Sequence, residues 1–382
     1  MKRMIRVGVI GAGYIGMVHL DQLARLGVKI VKVVDNNPEL AKRAAAKYGI
    51  EHWSTKADDI VNDPSIDVVH NCTPNKFHFD INKRSMENGK QVLSEKPLAM
   101  TAEEAEELWN VSVKHNAVTG VDFCYRYYPV VQEAAARIAR GELGDVRMVF
   151  GTWFQDWLSM ETDYSWRLER AENGMSNVTA DLGSHWFDLV QFLTGRKVTD
   201  VMGDLATLIP IRKKPKKQVL AFEHLEAADS VDVECSLEEY SAVHFRLDGT
   251  VPGSFTTCQL CNGRKSEPLF EIYGKECSYA WNHKDPTRLW IGHRFKPNEE
   301  LIENASIMHP EAAKFAVLPA GHPLGYYDAV MHLFKDFYDA IEAGEGADQG
   351  SRRPTFFTGY EEMKILAAII ESNDKRRWES VK

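Results

Sequence analysis

The sequence predicts an α/β protein with an N-terminal Rossmann domain, built on a parallel sheet, and a C-terminal α+β domain with a large open, mostly antiparallel sheet. Three observations lead to this prediction. A glycine-rich turn joins a strand pattern to a helix pattern near the N-terminus. Strand and helix patterns then alternate as far as residue 123, which is typical of a parallel sheet covered by helices. From residue 146 strand patterns dominate, and their frequent polar–apolar alternation indicates an antiparallel sheet with one open face.

The N-terminal segment carries a complete dinucleotide-binding pattern. Gly11, Gly13 and Gly16 have the G-x-G-x-x-G spacing after an apolar run. One glycine permits the turn, one lets the backbone approach a pyrophosphate, and one lets the helix pack closely. The helix N-terminus then offers N–H groups to phosphates. Asp35 ends the next apolar run, where a carboxylate accepts hydrogen bonds from a ribose 2′-hydroxyl and would repel a 2′-phosphate, so we expect NAD. The neighbouring Tyr14, Ile15 and Asn36 are expected to contact it as well.

The first domain is expected to alternate strands and helices. Asn37 and Pro38 predict the start of one helix, and Thr101 with Glu104 predicts a capping box at another. Gly27 and Gly89 are expected to end two helices. The predicted strands cover residues 7–10, 30–34, 67–71, 91–93 and 118–123, and the later helices cover 38–47, 77–88 and 101–115.

The second domain is expected to be rich in strands. The predicted strands cover residues 146–154, 198–208, 230–237, 242–247, 251–260, 269–273, 278–281 and 288–291, and the helices cover 130–140, 178–193, 326–341 and 360–373. Asp248-Gly249 predicts a hairpin turn. The alternation from Val231 to Leu237 predicts one packed face.

Composition limits the classes of partner. A chain of 382 residues suits two domains, expected at residues 1–125 and 126–382. The net charge of −9 argues against a nucleic-acid partner. No apolar run reaches membrane-spanning length, and the N-terminus lacks a signal-peptide cleavage site. We therefore expect a cytoplasmic protein with no membrane partner.

Two further patterns are given structural interpretations. The basic run from Arg212 to Lys217 is expected to form a solvated loop. Cys258 and Cys261 form a C-x-x-C, but in a strand their side chains would lie on opposite faces, and a second ligand pair is missing. We therefore expect no metal site, and cysteines that stay reduced.

Glu95-Lys96-Pro97 is the first candidate for chemistry. It follows a predicted parallel strand, and ligands bind beyond the carboxyl ends of such strands. The Lys96 ammonium could hydrogen-bond a substrate hydroxyl and stabilise an alkoxide as hydride leaves. The alternative is an ordinary surface lysine.

The second candidate is the pair Asp181 and His185. Four residues apart on a helix, they share a face that Asp188 extends. We expect this polar stripe to face outward, toward the cofactor. His185 could take a hydroxyl proton, and Asp181 could orient it or bind a second hydroxyl. The alternative is a hydrogen-bonded pair on a helix surface.

Aromatic residues beside polar ones suggest a carbohydrate ligand. Gln155 and Trp157 are expected to contact the substrate, because sugars stack on rings and hydrogen-bond to polar side chains. Buried core tryptophans are the alternative. His322 lies in a Gly-His-Pro loop and could also reach the site, and Tyr127 is a further expected substrate contact.

The joint set of motifs resembles the Gfo/Idh/MocA oxidoreductases. The set consists of Gly11, Gly13 and Gly16, Thr73-Pro74-Asn75 with His78, Glu95-Lys96-Pro97, and Asp181 with His185. The resemblance implies that Lys96 is catalytic, that Asp181 and His185 form the acid/base pair, and that Thr73, Pro74, Asn75, His78 and Glu95 line the cofactor. It also places Trp166 and Arg167 near the cofactor and favours the sugar-dehydrogenase branch. Cys124 departs from the family pattern, which often has asparagine shortly before an arginine.

The hypothesis is an NAD-dependent dehydrogenase that removes hydride from a ring secondary alcohol of a sugar, anhydrosugar or inositol. Two alternatives stay open. One is a glycoside hydrolase that oxidises its sugar transiently with bound NAD, and the other is a catalytically silent NAD-binding regulator. The open sheet face suggests a homodimer or homotetramer.

Overall fold

The structure, a computed structural model, describes residues 4–216, 230–348 and 352–382. It divides into two compact units. The first comprises Met1–Phe123, Ala171–Gly174 and Val330–Met363, and the second comprises Cys124–Arg170, Met175–Ala329 and Lys364–Lys382. The expected domain 1–125 lacks the two later segments of the first unit. The assignment of NAD binding to residues 1–125 and of substrate binding to residues 126–382 stays a prediction.

The first unit contains a six-stranded parallel sheet with the order β3-β2-β1-β4-β5-β6. Its strands are β1 (Arg6–Ile10), β2 (Lys29–Val34), β3 (His52–Ser54), β4 (Val68–Asn71), β5 (Gln91–Ser94) and β6 (Thr119–Val121). Its first helices are α1 (Tyr14–Arg25), α2 (Pro38–Tyr48), α3 (Asp58–Val61), α4 (His78–Glu87) and α5 (Ala102–Lys114). The strand order reverses between β1 and β4, which confirms the predicted Rossmann architecture.

Local signals explain where helices of the first unit begin. The Asn37 side chain accepts a hydrogen bond from the Glu39 amide at 3.0 Å, and Pro38 occupies the first turn of α2. The Thr101 hydroxyl accepts from the Glu104 amide at 3.2 Å, as predicted. The Glu104 carboxylate bonds back to the Met100 amide at 3.0 Å, one residue earlier than a capping box requires.

The second unit is built on a nine-stranded sheet, with the order β16-β15-β14-β13-β7-β12-β11-β8-β17 among the described residues. Its strands are β7 (Val146–Gln155), β8 (Val198–Ala206), β11 (Tyr240–Leu247), β12 (Val251–Cys258), β13 (Lys265–Gly274), β14 (Ser278–Asn282), β15 (Arg288–Gly292), β16 (Glu299–Ile302) and β17 (Glu379–Ser380), while β9 (Ile211–Pro215) pairs with β10 (Ser230–Glu234) separately. Only β7 and β12 pair in parallel within this sheet as described, so the mostly antiparallel prediction is confirmed. The β11–β12 hairpin turns at Asp248 and Gly249, both with positive φ.

Helices after α5 complete the described structure. They are α6 (Pro129–Ala139), α7 (Arg170–Asn173), α8 (Ser184–Thr194), α9 (Pro310–Ala313), α10 (Tyr326–Ala343) and α11 (Phe356–Lys375). Helix α8 packs on the sheet of the second unit through Trp186, which stacks on Phe255 with ring centroids 4.4 Å apart. A Cβ at Gly151 would lie 2.4 Å from the Trp186 ring, so glycine makes this close packing possible. No described helix is long and apolar enough to cross a membrane.

The basic run is a strand, so the loop prediction for it was wrong. Residues 211–215 form β9, while Lys217 lies outside the described residues. Arg212 is fully buried and donates to Glu239 Oε1 at 2.8 Å and to the Met160 and Asp163 carbonyl oxygens at 2.9 Å. The Glu239 carboxylate and the two carbonyl oxygens therefore compensate the buried charge of Arg212. The basic composition of the run had predicted that this charge would be exposed to solvent.

The prediction of one packed face from Val231 to Leu237 is confirmed from Val233 onward, because Val233 packs against the buried cluster that contains Cys235, whereas Asp232, Glu234 and Ser236 are exposed. Val231 is 47% exposed, because β10 pairs only with β9 among the described strands. Cys235 and Leu237 are buried, but they lie beyond the end of β10. Likewise β12 ends at Cys258, so Cys261 does not share its alternation. Burial and the neighbouring Cys258 thiol raise the pKa of Cys261 to about 11.

Candidate functional site

The glycine-rich turn joins β1 to α1, and its three glycines meet different constraints. Gly11 has a φ of +98°, and a Cβ there would lie 2.5 Å from the Cys72 carbonyl oxygen. A Cβ on Gly16 would lie 2.0 Å from the Gly11 carbonyl oxygen. By contrast, a Cβ on Gly13 would meet no atom of the described residues within 4 Å. The fold itself therefore requires Gly11 and Gly16, while Gly13 leaves open space before α1, as a pyrophosphate requires.

Asp35 lies just beyond β2 with its carboxylate fixed by backbone. Its Oδ2 accepts from the Ala12 amide at 2.7 Å, and its Oδ1 accepts from the Asn37 amide at 2.8 Å. A carboxylate can accept about four hydrogen bonds. Both oxygens therefore keep capacity for ribose hydroxyls, and the residues present fit a bound NAD. The neighbouring Asn36 and Tyr14 are exposed.

A directed chain of hydrogen bonds ties the loop after β4 to the loop after β5. The Thr73 hydroxyl donates to Asn71 Oδ1 at 2.7 Å, and Asn71 Nδ2 donates to Asn82 Oδ1 at 2.8 Å. Asn82 Nδ2 then donates to the Ser94 hydroxyl at 2.9 Å, which donates to the Glu95 carbonyl oxygen at 3.0 Å. This chain of bonds therefore fixes the carbonyl group of Glu95, the residue directly before Lys96.

His78 and Asn75, both expected to line the cofactor, make buried contacts within the first unit. The His78 ring nitrogens lie 2.8 Å from the Thr73 and Pro97 carbonyl oxygens. Burial lowers the pKa of His78, and a neutral ring donates to one of these carbonyls at a time. Asn75 donates its amide to Asn173 Oδ1 at 2.7 Å. Both residues thus hold loops in place, and their contact with the cofactor stays a prediction.

A buried histidine supports the Glu95 side chain. His19 Nε2 lies 3.0 Å from Glu95 Oε1 and 3.5 Å from Asp122 Oδ2. Burial lowers the pKa of His19, but Cys72, Asp122 and Glu95 outweigh it, so the pKa lies well above its usual range. The raised pKa favours the imidazolium form of His19. A proton shared with both carboxylates accounts for the close approach of His19, Glu95 and Asp122. The atoms of these three side chains that could bind a metal lie within 4.8 Å of one another.

The imidazolium form of His19 would fix the proton positions of its neighbours. His19 Nδ1 lies 2.9 Å from His70 Nδ1, and burial together with the charge on His19 lowers the pKa of His70. A neutral His70 must accept at Nδ1 and therefore carries its proton on Nε2, which donates to the Tyr338 hydroxyl at 2.8 Å. On the other side, Glu95 Oε2 accepts from the Lys96 amide at 3.2 Å. The network thus connects the interior of the first unit to Lys96.

In the second unit, Asp181 and His185 lie on two kinds of helical turn. Asp181 belongs to a π-helical turn, Thr179–Gly183, which leads directly into α8. Such turns are rare and occur often at functional sites. The Asp181 side chain is 14% exposed, and its Oδ1 lies 3.5 Å from Arg167 Nε. Asp181 thus lies beside a charged partner rather than on a plain helix surface.

The expectation that the whole polar stripe faces outward was wrong. His185 is 8% exposed, with the Tyr125 ring at 5.1 Å and the Trp153 ring at 5.7 Å between centroids. Asp188 is fully buried and accepts from Arg126 Nε at 2.7 Å. Burial raises the pKa of Asp188, although Arg126 opposes the shift. Arg126, in the 3-10 turn after β6, neutralises the buried Asp188 carboxylate. Helical periodicity around Asp188 could not reveal this partner, because it is distant in sequence.

Residues around this pair show which other expected contacts come together. Trp157 Nε1 donates to Gln155 Oε1 at 2.7 Å. The Arg167 guanidinium lies over the Trp166 ring, 4.6 Å from its centroid. Trp166 and Arg167 form a 3-10 turn capped by Ser165. The four expected residues thus form two contacting pairs within the second unit.

Two further expected substrate contacts, Tyr127 and His322, contact other residues of the second unit. Tyr127 is buried with its ring 5.7 Å from that of Phe315. Tyr125, which we did not predict, contacts His185 instead. His322 is exposed and donates from Nδ1 to the Pro319 carbonyl oxygen at 3.1 Å. The geometry therefore favours Tyr125 over Tyr127 as a neighbour of the reacting groups.

Comparison with known proteins places this geometry in a family. A model described as an oxidoreductase family with an NAD-binding Rossmann fold matches residues 5–123, and the Gfo/Idh/MocA C-terminal domain matches residues 131–280. The chain belongs to the Gfo/Idh/MocA family. This result confirms the resemblance that its motifs indicate. As a Gfo/Idh/MocA protein, the chain is an NAD-dependent oxidoreductase.

Individual Gfo/Idh/MocA relatives are similar over different lengths. Levoglucosan dehydrogenase of Pseudarthrobacter phenanthrenivorans is 29% identical over 390 residues, covering 99% of this chain and 98% of the relative. The NAD(+)-dependent scyllo-inositol 2-dehydrogenase of Bacillus subtilis is 29% identical over 205 residues, covering 53% of this chain and 58% of the relative. A solved levoglucosan dehydrogenase in complex with NADH and L-sorbose superposes with a TM-score of 0.88 at 28% identity, covering 99% of both chains.

Proposed function

We propose that this Gfo/Idh/MocA protein oxidises a ring secondary alcohol of a sugar, anhydrosugar or inositol. The observation that carries the proposal is the Asp181–His185 pair, held beside Arg167 and enclosed by aromatic rings. The full-length relatives named above as sugar dehydrogenases support the substrate class. Bound NAD supplies the acceptor for the hydride.

His185 is proposed as the base. A neutral imidazole can take the proton of the hydroxyl whose carbon loses hydride. Tyr125 and Trp153 lie against the ring, and they restrict both its orientation and the access of water. A base fixed in this way is ready for transfer without reorganisation.

Asp181 and Lys96 are proposed to act on substrate oxygens. The carboxylate of Asp181 accepts a hydrogen bond from a second ring hydroxyl and so orients the sugar. The Lys96 ammonium donates to the oxygen that loses its proton, which stabilises the negative charge developing there. Its backbone is held by the hydrogen-bond chain that ends at the Glu95 carbonyl oxygen.

The remaining roles follow from the same proposal. Residues 1–125 are proposed to bind NAD and residues 126–382 to bind the substrate. NAD is proposed to contact Gly11, Gly13, Tyr14, Ile15, Gly16, Asp35, Asn36, Thr73, Pro74, Asn75, His78, Glu95, Lys96, Trp166 and Arg167. The substrate is proposed to contact Lys96, Gln155, Trp157, Asp181, His185 and His322, with Tyr125 rather than the expected Tyr127 beside the reacting groups.

A homodimer or homotetramer is proposed from the open face of the large sheet. Phe150 pairs with Glu271, Glu271 with Ala280 and Ala280 with Trp290, so these side chains form one row on the face away from α8. Trp290 is 39% exposed, which a second copy of the chain would reduce. A cytoplasmic location is proposed because Cys72, Cys235 and Cys258 are thiols.

Single substitutions test the proposed chemistry. His185→Gln and Lys96→Met should each lower kcat at least about a hundredfold, the usual scale for groups that move or stabilise a proton. NAD affinity, read from quenching of protein fluorescence, should change little for His185→Gln. The matched controls are His52→Gln and Lys114→Met, two exposed positions where the same substitutions should leave kcat unchanged. Near-normal turnover in either test variant would contradict the role of that residue.

A further inference from the structure

A buried chain of side-chain amides leads to Asp181. Asn177 and Gln259 are fully buried, and Gln259 follows the last residue of β12. Asn177 Nδ2 lies 3.1 Å from the Glu238 carbonyl oxygen and 2.8 Å from Gln259 Oε1. Gln259 Nε2 lies 3.2 Å from Asp181 Oδ2. The chain thus links a backbone carbonyl to a proposed catalytic carboxylate.

The direction of every bond in this chain follows from its first member. A backbone carbonyl oxygen can only accept, so the Asn177 atom beside it must be the donating Nδ2. The Gln259 atom that faces Asn177 Nδ2 must therefore be the accepting Oε1. Gln259 consequently presents its NH₂ group to Asp181, and Asp181 Oδ2 must accept.

The second oxygen of Asp181 also faces a donor. Arg167 Nε lies 3.5 Å from Oδ1. With a donor beside each oxygen, Asp181 is held as a carboxylate that accepts hydrogen bonds. This arrangement suits a residue that orients a hydroxyl, and it leaves proton removal to His185.

The π-helical turn that carries Asp181 is anchored separately. The buried Glu238 carboxylate accepts from the Asn177 amide at 3.1 Å, from the Thr179 amide at 3.1 Å and from the Thr179 hydroxyl at 2.9 Å. Glu238 therefore positions the backbone of the turn, whereas Gln259 reaches the Asp181 side chain itself. A variant of Gln259 can change the side chain without removing the anchor of the turn.

We propose that Gln259 is a positioning residue that orients Asp181 as a hydrogen-bond acceptor for the sugar. The inference rests on the proposed function, in which Asp181 binds a substrate hydroxyl. Gln259 acts through Asp181, so its loss should affect turnover and sugar binding but not NAD binding.

Two variants and a matched control test this role. Gln259→Leu removes the donor at similar volume, and kcat should fall about ten- to hundredfold, the scale of a lost hydrogen bond to a charged group. NAD affinity, measured by fluorescence quenching, should stay unchanged. Gln132→Leu is the control: Gln132 is another buried glutamine of the second unit, and its amide donates to the Arg126 carbonyl oxygen at 2.8 Å. It should lose stability but keep kcat.

Gln259→Glu adds a readout that a merely structural role would not move. An ionised carboxylate beside Asp181 repels it, while a protonated one can donate the missing hydrogen bond. The kcat of Gln259→Glu relative to wild type should therefore recover as the pH falls, whereas the same ratio for Gln259→Leu should stay flat. The other charged groups of this network, Arg167 and Glu238, are common to all three proteins, so the ratio cancels their titration to first order.

The outcomes separate the inference from the proposed function. If Asp181→Asn retains full activity, the role of Asp181 fails and both are overturned. If Asp181→Asn is inactive but Gln259→Leu turns over normally, only the inference is overturned. An equal loss of kcat in Gln132→Leu, or the absence of acid recovery in Gln259→Glu, would also overturn it.

Discussion

His19 is a buried residue of α1, the helix that follows the glycine-rich turn, and its raised pKa favours a positive charge. Its ring lies between Glu95 and His70, with Asp122 close by. Burying a charge costs several kcal/mol unless partners compensate it, and here two carboxylates do so. Burial lowers the pKa of His19, but Cys72, Asp122 and Glu95 together raise it well above its usual range, so folding is linked to its proton.

The raised pKa of His19 makes part of the folding stability depend on pH. The folded state binds this proton more tightly than the unfolded state, so the gain is complete below the unfolded pKa of about 6.5. The gain is lost as the pH rises through the folded pKa. In urea unfolding, the difference in unfolding free energy between wild type and His19→Gln should be largest below about pH 6.5 and should shrink at alkaline pH.

The exposed His52→Gln variant is the control for that measurement, and its difference from wild type should not vary with pH. Burial lowers the pKa of His70 in wild type and would do so in His19→Gln too, so most of its contribution cancels. A wild-type advantage over His19→Gln that grows with rising pH would contradict an imidazolium at this position.

Sequence reasoning found single residues where a motif defines them. Asp35 and Lys96 were predicted as site residues because each follows a strand at the carboxyl edge of a parallel sheet, and the structure places both there, while their roles stay predictions. His19 was missed because its charge depends on Glu95 and Asp122, which are distant in sequence. Gln259 carries no local signal, since its role depends on the orientation of a buried amide chain.

At the scale of the element, the glycines of the turn differ in what requires them. The fold requires Gly11 and Gly16, whereas the proposed contact with the cofactor requires Gly13. Gly16→Ala should destabilise the protein, because its Cβ would lie 2.0 Å from the Gly11 carbonyl oxygen. Gly13→Ala should fold normally, because open space surrounds that position among the described residues, but NAD should bind more weakly. Thermal unfolding together with NAD titration by fluorescence measures both effects.

A variant Gly13→Ala that binds NAD as tightly as wild type would contradict the proposed approach of the pyrophosphate to this turn. Gly27→Ala controls for the loss of a glycine alone. Gly27 has a φ of +70° after α1, and no atom of the described residues lies within 4 Å of a Cβ built there. It should lose some stability through backbone strain and keep its NAD affinity.

Most elements could be predicted from periodicity, and the exceptions have tertiary causes. The expected helix over residues 178–193 starts as a π-helical turn, Thr179–Gly183, and the Glu238 carboxylate accepts from the amide and the hydroxyl of its first residue, Thr179. The basic run that forms β9 predicts a solvated loop, but the Arg212 side chain is buried and forms an ion pair with the buried Glu239. In both cases a carboxylate that is distant in sequence binds a residue of the element, a contact that local periodicity does not reveal.

At the scale of the whole chain, the order of patterns was sufficient for the architecture. Alternating strands and helices predicted the parallel sheet of the first unit, and the run of strands predicted the large, mostly antiparallel sheet of the second. The assignment of residues 330–363 to the first unit was not predicted, since helical periodicity does not reveal which sheet a helix covers. The substrate is likewise beyond periodicity, because single hydroxyl contacts select it.

The most direct measurement of the central claim is NADH formation by the purified wild-type protein, supplied with NAD and a panel of inositols, hexoses, pentoses, anhydrosugars and glycosides. The ultraviolet absorbance of NADH follows the reaction. We expect steady formation of NADH with at least one free ring sugar, anhydrosugar or inositol, and none without it. Cleavage of a glycoside without net NADH, or NAD binding with no turnover of any compound in the panel, would contradict the account.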